Sequence, residues 1–172
     1  SRVIAHECIA ILSTPLLAPF LDEIRRRDEE WCGALLNSLT HRLGWRVPEI
    51  RSQRVNLSRA PALYRRLMRG ETITLERLLR SPADRSIALD CEVLYLDRDD
   101  DDHVMTPAPD EKIRPGDELL FAGTRRALED IDLILANEHT LEYILSGRDL
   151  PGGRIWDLLA QRGRKERSPQ LP

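Results

Sequence analysis

The run SIALDCEVLYL, residues 86–96, constrains this chain more than any other stretch. Ile87, Leu89, Cys91, Val93 and Tyr95 fall on one face of an extended chain, and Ala88, Asp90, Glu92, Leu94 and Leu96 on the other. A helix would scatter these side chains around its circumference, so the period of two predicts a half-buried strand. Upstream the period is different. Leu16, Phe20 and Ile24 recur every four residues, and Trp31, Leu35, Leu39 and Leu43 do so again. That spacing predicts one long amphipathic helix, or two joined near Arg27–Asp28, with Ser13 or Thr14 as cap, Pro15 in the first turn and Gly44 as stop.

The other elements follow from local punctuation. WRVPEIRSQRVNL reads as a strand placed at an edge by Pro48. APALYRRLMRG reads as a short helix ended by Gly70, and TITLERLLRSPADRS as another, started by Thr72 or Thr74 and broken at Ser81–Pro82. Val104–Met105 forms a short partner strand. Pro115–Gly116 makes a turn, and Leu119–Ala122 is a strand ending at Gly123. Leu128, Ile131, Ile134 and Leu135 mark a helix over 125–136, and Leu141, Ile144 and Leu145 carry the apolar pattern to Gly147. That helix stripe either covers the sheet or partly faces a second chain. RVIAHECIAIL reads as a short strand running into a helix, DLPGG as a linker, and RIWDLLAQRGRKE as a last short helix before a frayed tail. The order is helix-rich first, then β-rich and closed by a helix, which is an α+β pattern.

Charge is distributed unevenly. The formal net charge is -3, yet residues 41–85 hold 11 Arg against Glu49, Glu71, Glu76 and Asp84, whereas residues 90–102 hold 7 acids against Arg98 alone. Lys112 and Lys165 are the lysines, so the positive charge is nearly all guanidinium, which favours planar pairing with carboxylate or phosphate. Apolar runs such as PLLAPFL fall far short of the roughly 20 residues that span a bilayer. The opening SRVIAHECIAIL lacks the signature of a signal peptide, and the missing initiator Met points to a piece of a longer protein. Cys8, Cys32 and Cys91 are too few and too scattered for a disulfide framework or a CxxC metal motif, which fits a reducing cytosol.

From about Thr72 to Ala136 the chain resembles the C-terminal lobe of the RCK family, the regulators of potassium conductance, also called the TrkA-C domain. The residues that carry the resemblance are TLERLLR, IALDCEVLYLDR and TPAPDEKIRPGDELLFAGT, with Pro109, Ile113, Gly116–Asp117, Leu119–Leu120–Phe121 and Gly123 at the family's motif positions. The resemblance implies three parts. Residues 1–45 would be the end of a Rossmann-like lobe and a connecting helix. Residues 46–147 would be the TrkA-C-like lobe, with an Arg-rich elaboration at 46–70 that departs from the family pattern. Residues 148–172 would be a linker, a short helix and a frayed tail. It further implies a cytoplasmic, ligand-responsive regulatory domain of an inner-membrane potassium channel or related cation transporter. Such domains self-associate as dimers or rings and couple to a membrane pore in the same or a partner chain. GxGxxG is absent, so no nucleotide-binding residue is carried over. A small anionic effector or a weakly bound divalent cation is compatible with this reading.

LDRDDDDHVM raises the question of a metal. Counted from Asp97, the sixth and twelfth positions of a calcium loop fall on Asp102 and Ala108 rather than Gly and Glu, so that motif fails. The run Asp99–Asp102 reads instead as a solvated hairpin loop, and His103 adds little for a hard cation. No metal or catalytic residue is assigned. His6, His41, His103 and His139 are scattered, and no GxSxG or HExxH is present, so the expectation is a non-enzymatic protein. The alternative function is an Arg-rich nucleotide- or nucleic-acid-binding domain, although Trp45 and Tyr64 are a sparse stacking platform and nucleic acid is not favoured. A plain oligomerisation module ranks third.

Overall fold

The computed structural model describes residues 14–45, 47–98 and 102–148. The expected strand and helix at 1–12, most of the aspartate run, and the helix and tail after residue 148 lie outside these residues. The period change seen in the sequence corresponds to helices α1 (Leu17–Ile24) and α2 (Glu29–Leu43), followed by an antiparallel sheet. Its strands are β1 (Glu49–Arg54), β2 (Cys91–Asp97), β3 (His103–Met105) and β4 (Glu118–Gly123), in spatial order β1-β4-β2-β3. Between β1 and β2 lie α3 (Pro61–Met68) and the single turn α4 (Leu75–Leu78); α5 (Arg125–Ala136) and α6 (Glu138–Ser146) follow β4. The architecture is α+β, with a helical N-terminal part and a closing helical pair.

The sheet is apolar on both faces. On one side Cys91, Val93, Leu96, Leu119 and Phe121 meet α3 to α6, and Leu128, Ile131, Ile134 and Leu135 of α5 are all buried there. The α5 stripe is therefore taken up within its own chain. On the other side Leu94, Tyr95, Leu120 and Ala122 meet Leu16 and Phe20 of the α1 segment, with Leu35 and Leu39 of α2 packed alongside. Each fully buried Leu or Phe contributes about 1.5–3 kcal/mol, so both faces matter energetically.

Four expectations need correction. The strict alternation of residues 87–96 breaks at a bulge. Val93 pairs with Phe121 and Tyr95 with Leu120, leaving Leu94 as an extra residue. Leu94 and Tyr95 then share the α1 face and Leu96 returns to the other core, the opposite of a simple period of two. The strand also starts at Cys91 rather than Ile87, which is exposed in the preceding loop. The helix after Thr74 lasts one turn and ends before Ser81–Pro82, because Arg80 leaves it to bridge Ala88. Finally, Leu16 occupies the N-cap position of α1 without a side-chain cap, so Thr14 does not serve as its capping side chain. The long helical stretch is two helices, separated where Asp28 caps α2 by accepting a bond from Trp31 N–H at 2.8 Å.

The Pro-Gly-Asp turn before β4 has a clear construction. Gly116 adopts φ 92°, a left-handed value open to glycine at no steric cost. Asp117, buried, accepts a bond from Arg114 N–H at 2.8 Å and so closes the turn. Gly123, at the other end of β4, is required for a different reason: a Cβ there would lie 2.7 Å from Cys91 Cβ.

Candidate functional site

A cavity of about 430 Å³ opens between α2, the α4 turn and the lead into β2. Its apolar floor includes Leu75, Leu79, Cys91 and Val93, while Arg42, Arg80, Glu76 and Glu92 stand around it. This mixture of an apolar floor and a few convergent charges is the usual make-up of a small-molecule site.

Glu92 organises one wall. It occupies a position on β2 whose face turns toward α2, and its carboxylate is held from there. Ser38 Oγ donates to Glu92 Oε1 at 2.8 Å and Arg42 Nε donates to the same oxygen at 3.1 Å. The Glu92 side chain is mostly covered, at 17% exposure, whereas that of Arg42 is 42% exposed. The pair thus ties α2 to the sheet at the mouth of the cavity. Few other contacts hold α2 there, since Leu43 is its buried residue and Trp31, Leu35 and Leu39 are half-buried.

The opposite wall is backbone under tension. Thr106 has φ 44°, a left-handed value that a β-branched residue adopts at a cost of about 1–3 kcal/mol. Its N–H bonds to Leu94 O at 2.9 Å, next to the bulge, and Pro107 and Pro109 continue the wall. Glu76 N–H bonds to Pro109 O at 2.7 Å, which pins the α4 turn to this rim.

Cys91 on the floor is not an activated nucleophile. Burial pushes its thiol up to about 12, outweighing the nearby Arg42 charge that draws it down. The thiol is protonated at neutral pH. What the arrangement can do chemically is bind: an anionic group entering the cavity would find the Arg42 and Arg80 guanidiniums and an apolar surface beneath.

The features singled out in the sequence go elsewhere. Asp99–Asp101 lie outside the described residues. Asp102 and Asp117 flank the buried Arg98, whose guanidinium sits 3.7 and 3.6 Å from them and donates to Glu111 at 2.6 Å. Burial alone would lower the Arg98 pKa, but Glu111, Asp117 and Asp102 raise it, so the charge is secure. Among the described residues no cluster of three His, Cys, Asp or Glu is arranged to hold a metal ion. His103 stacks on Tyr95 with ring centroids 5.4 Å apart, and His41 and His139 are exposed. Of the Arg-rich stretch, Arg51 binds Asp132, Arg65 binds Glu138, and Arg66 binds Glu71 and Glu142. These arginines join the β1–α3 segment to α5 and α6.

Sequence reasoning missed Glu92 and its α2 partners. The available signal was a carboxylate on a strand face that otherwise becomes apolar at Leu94. Comparison with family models, with curated proteins and with solved structures finds no match to this chain. Among the described residues no helix is long and apolar enough to cross a membrane.

Proposed function

We propose that the chain is a ligand-responsive gating module of a potassium channel or related cation transporter, working by conformational coupling, with the cavity behind Glu92 as its effector site. The observation that carries this reading is the latch. Ser38 and Arg42 of α2 both engage Glu92 at the cavity mouth. An anionic effector that takes Arg42 from Glu92 changes how firmly α2 rests on the sheet. A ligand shifts such an equilibrium by its differential affinity for the two arrangements, and a weakly buried helix needs little bias.

The resemblance supports the same reading, because the motif residues have distinct mechanical tasks. Gly116 and Asp117 form the turn, Leu119 to Phe121 form the central strand, and Gly123 admits the close approach of β2. In this reading the module self-associates as a dimer or ring and transmits the movement of α2 toward a pore.

The test is potassium flux through the full-length protein carrying Glu92→Gln, which weakens the latch without adding bulk. Altered flux at a fixed potassium gradient, with faster amide exchange confined to α2, is the expected result. Unchanged flux accompanied by that faster exchange would sink the proposal.

A further inference from the structure

A second cavity, of about 490 Å³, lies on the far side of the α4 turn, against the last turn of α6. Three arginines line it: Arg77 on α4, and Arg80 and Arg85 in the loop that follows, with Ser86 beside them, its hydroxyl donating to the Asp84 carboxylate at 2.6 Å. Glu76 is the carboxylate among its lining residues, so the wall carries a surplus of positive charge in a chain that is negative as a whole.

The hydrogen bonding of these arginines sets them apart. Arg51, Arg65, Arg66, Arg98 and Arg125 each meet a carboxylate. Among the described residues, none of Arg77, Arg80 and Arg85 does; all three donate to backbone carbonyls. Arg77 reaches Thr72 O at 3.2 Å and Leu145 O at 3.3 Å, Arg85 reaches the same Leu145 O at 3.5 Å, and Arg80 reaches Glu76 O at 3.0 Å. A cation at the C-terminal end of α6 is favourable for the helix dipole. Yet one guanidinium would satisfy Leu145 O, and two share it at the long end of hydrogen-bond distance. A guanidinium has five N–H donors, so most of the donors here have no protein partner among the described residues.

We infer that this cavity is a binding site for a compact phosphoryl anion, held by Arg77 and Arg85 with Arg80 on the shared wall. Guanidinium forks match phosphate oxygens bidentately. Three forks arriving from separate points of the chain suit a tetrahedral group with oxygens facing several ways better than one planar carboxylate. The phosphoryl group can belong to free diphosphate or to the tail of a nucleotide, which share this chemistry. The site shares Glu76 and Arg80 with the Glu92 cavity, but Arg77 and Arg85 line this one alone, and its existence does not depend on the gating proposal.

The experiment is calorimetric titration of the chain with inorganic pyrophosphate and, separately, with ADP, against sodium chloride at matched ionic strength. Saturable binding of pyrophosphate is expected, weakened roughly tenfold or more by either Arg77→Gln or Arg85→Gln, as for loss of a hydrogen bond to a charged group. Arg77→Lys should also weaken it, because the charge is kept but the fork is lost. Equal affinity for pyrophosphate and ADP would assign the site to the phosphoryl group alone, and tighter ADP binding to a nucleotide. Arg25→Gln, at the exposed end of α1 and away from both cavities, should leave the titration unchanged. If Arg85→Gln lowers the melting temperature through its packing over Gly147, the Arg77 pair decides. Heat no greater than that of the chloride control, or binding indifferent to Arg77→Gln and Arg77→Lys, would overturn the inference.

Discussion

Gly123→Ala should be among the most damaging single-methyl additions this chain can suffer. Gly123 pairs directly with Cys91 across the two central strands. The new Cβ would lie 2.7 Å from Cys91 Cβ, 3.1 Å from Asp90 O and 3.2 Å from Cys91 Cα. Carbon atoms prefer about 3.5–4.0 Å, so β2 and β4 must separate by roughly 1 Å at this point. All three obstacles are backbone atoms or, for Cys91 Cβ, bonded directly to the backbone, so none can rotate away. The adjoining bond from Thr124 N–H to Asp90 O, 3.0 Å long, is stretched by the same movement. Overpacking costs about 1–3 kcal/mol and a weakened backbone hydrogen bond up to about 1 kcal/mol. Relief of glycine's unfolded-state entropy returns about 0.5–1 kcal/mol. The central values net to about 2 kcal/mol, or roughly 4–8 °C in Tm for a chain of this size. Urea and thermal unfolding of the wild type and variant measure it. A double-mutant cycle locates the cause. Cys91→Ala keeps the Cβ and should not rescue Gly123→Ala, whereas Cys91→Gly removes it and should. A Tm within about 2 °C of wild type, or strictly additive effects with Cys91→Gly, would refute the steric reasoning.

Arg98→Met should cost about 3 kcal/mol at pH 7, because it leaves the buried Asp117 carboxylate without its cation. Burial already holds the Asp117 pKa above its ordinary value, and loss of Arg98 raises it further. A raised folded pKa means the native state binds the proton more readily, so the variant should regain stability as pH falls through that pKa; urea midpoints compared at pH 7 and pH 5 read the difference. Glu142 acts in the opposite sense: its bonds from Ser146 and Arg66 hold its carboxyl below 4.5, so its contribution is complete above that pH and lost as pH falls through the lower folded value. Glu142→Gln should cost about 1 kcal/mol at neutral pH and flatten the decline in Tm below pH 4.5, the ordinary value for that carboxyl. An unchanged acid slope would count against the assigned pairing.

The elements were legible wherever local pattern decides structure. The four-residue spacing from Leu16 to Leu43, the Pro115–Gly116 turn and the apolar stripe of α5 all depend on neighbours within a turn or two of chain. The sequence was less informative where a distant partner sets the outcome. The period of two in residues 87–96 did not reveal the bulge at Leu94, because the bulge lets Tyr95 reach Phe20 on the α1 face, a contact between residues 75 positions apart. The single turn of α4 is short because its strand-like continuation pairs with Ala88. The cavity was harder still. Ser38 and Arg42 come from α2, Glu92 from β2 and Thr106 from the loop after β3, and no spacing rule joins them.

The chain's charged residues divide by partner, and that division bears on function more than their number does. The aspartate run is the loudest local signal in the sequence, but what the structure describes beside it is a built-in cation: Arg98, just past β2, draws together carboxylates from the approach to β3, the loop after β3 and the turn before β4. Such a guanidinium cannot be given up without exposing Asp117 to an uncompensated interior. Arg51, Arg65 and Arg66, tied to carboxylates on α5 and α6, are likewise committed to the fold. Arg42 differs in degree, since its Glu92 contact is single and partly open to solvent, so a stronger anion can compete for it. Arg77 and Arg85 differ in kind, because a backbone carbonyl carries only a partial charge and yields to a full one. Binding chemistry therefore belongs to the arginines whose present partners are the weakest, and those cluster on either side of the α4 turn. That single turn, pinned to Pro109 on one side and facing α6 on the other, lies between the two cavities, and its Glu76 lines both, as does Arg80 just after it.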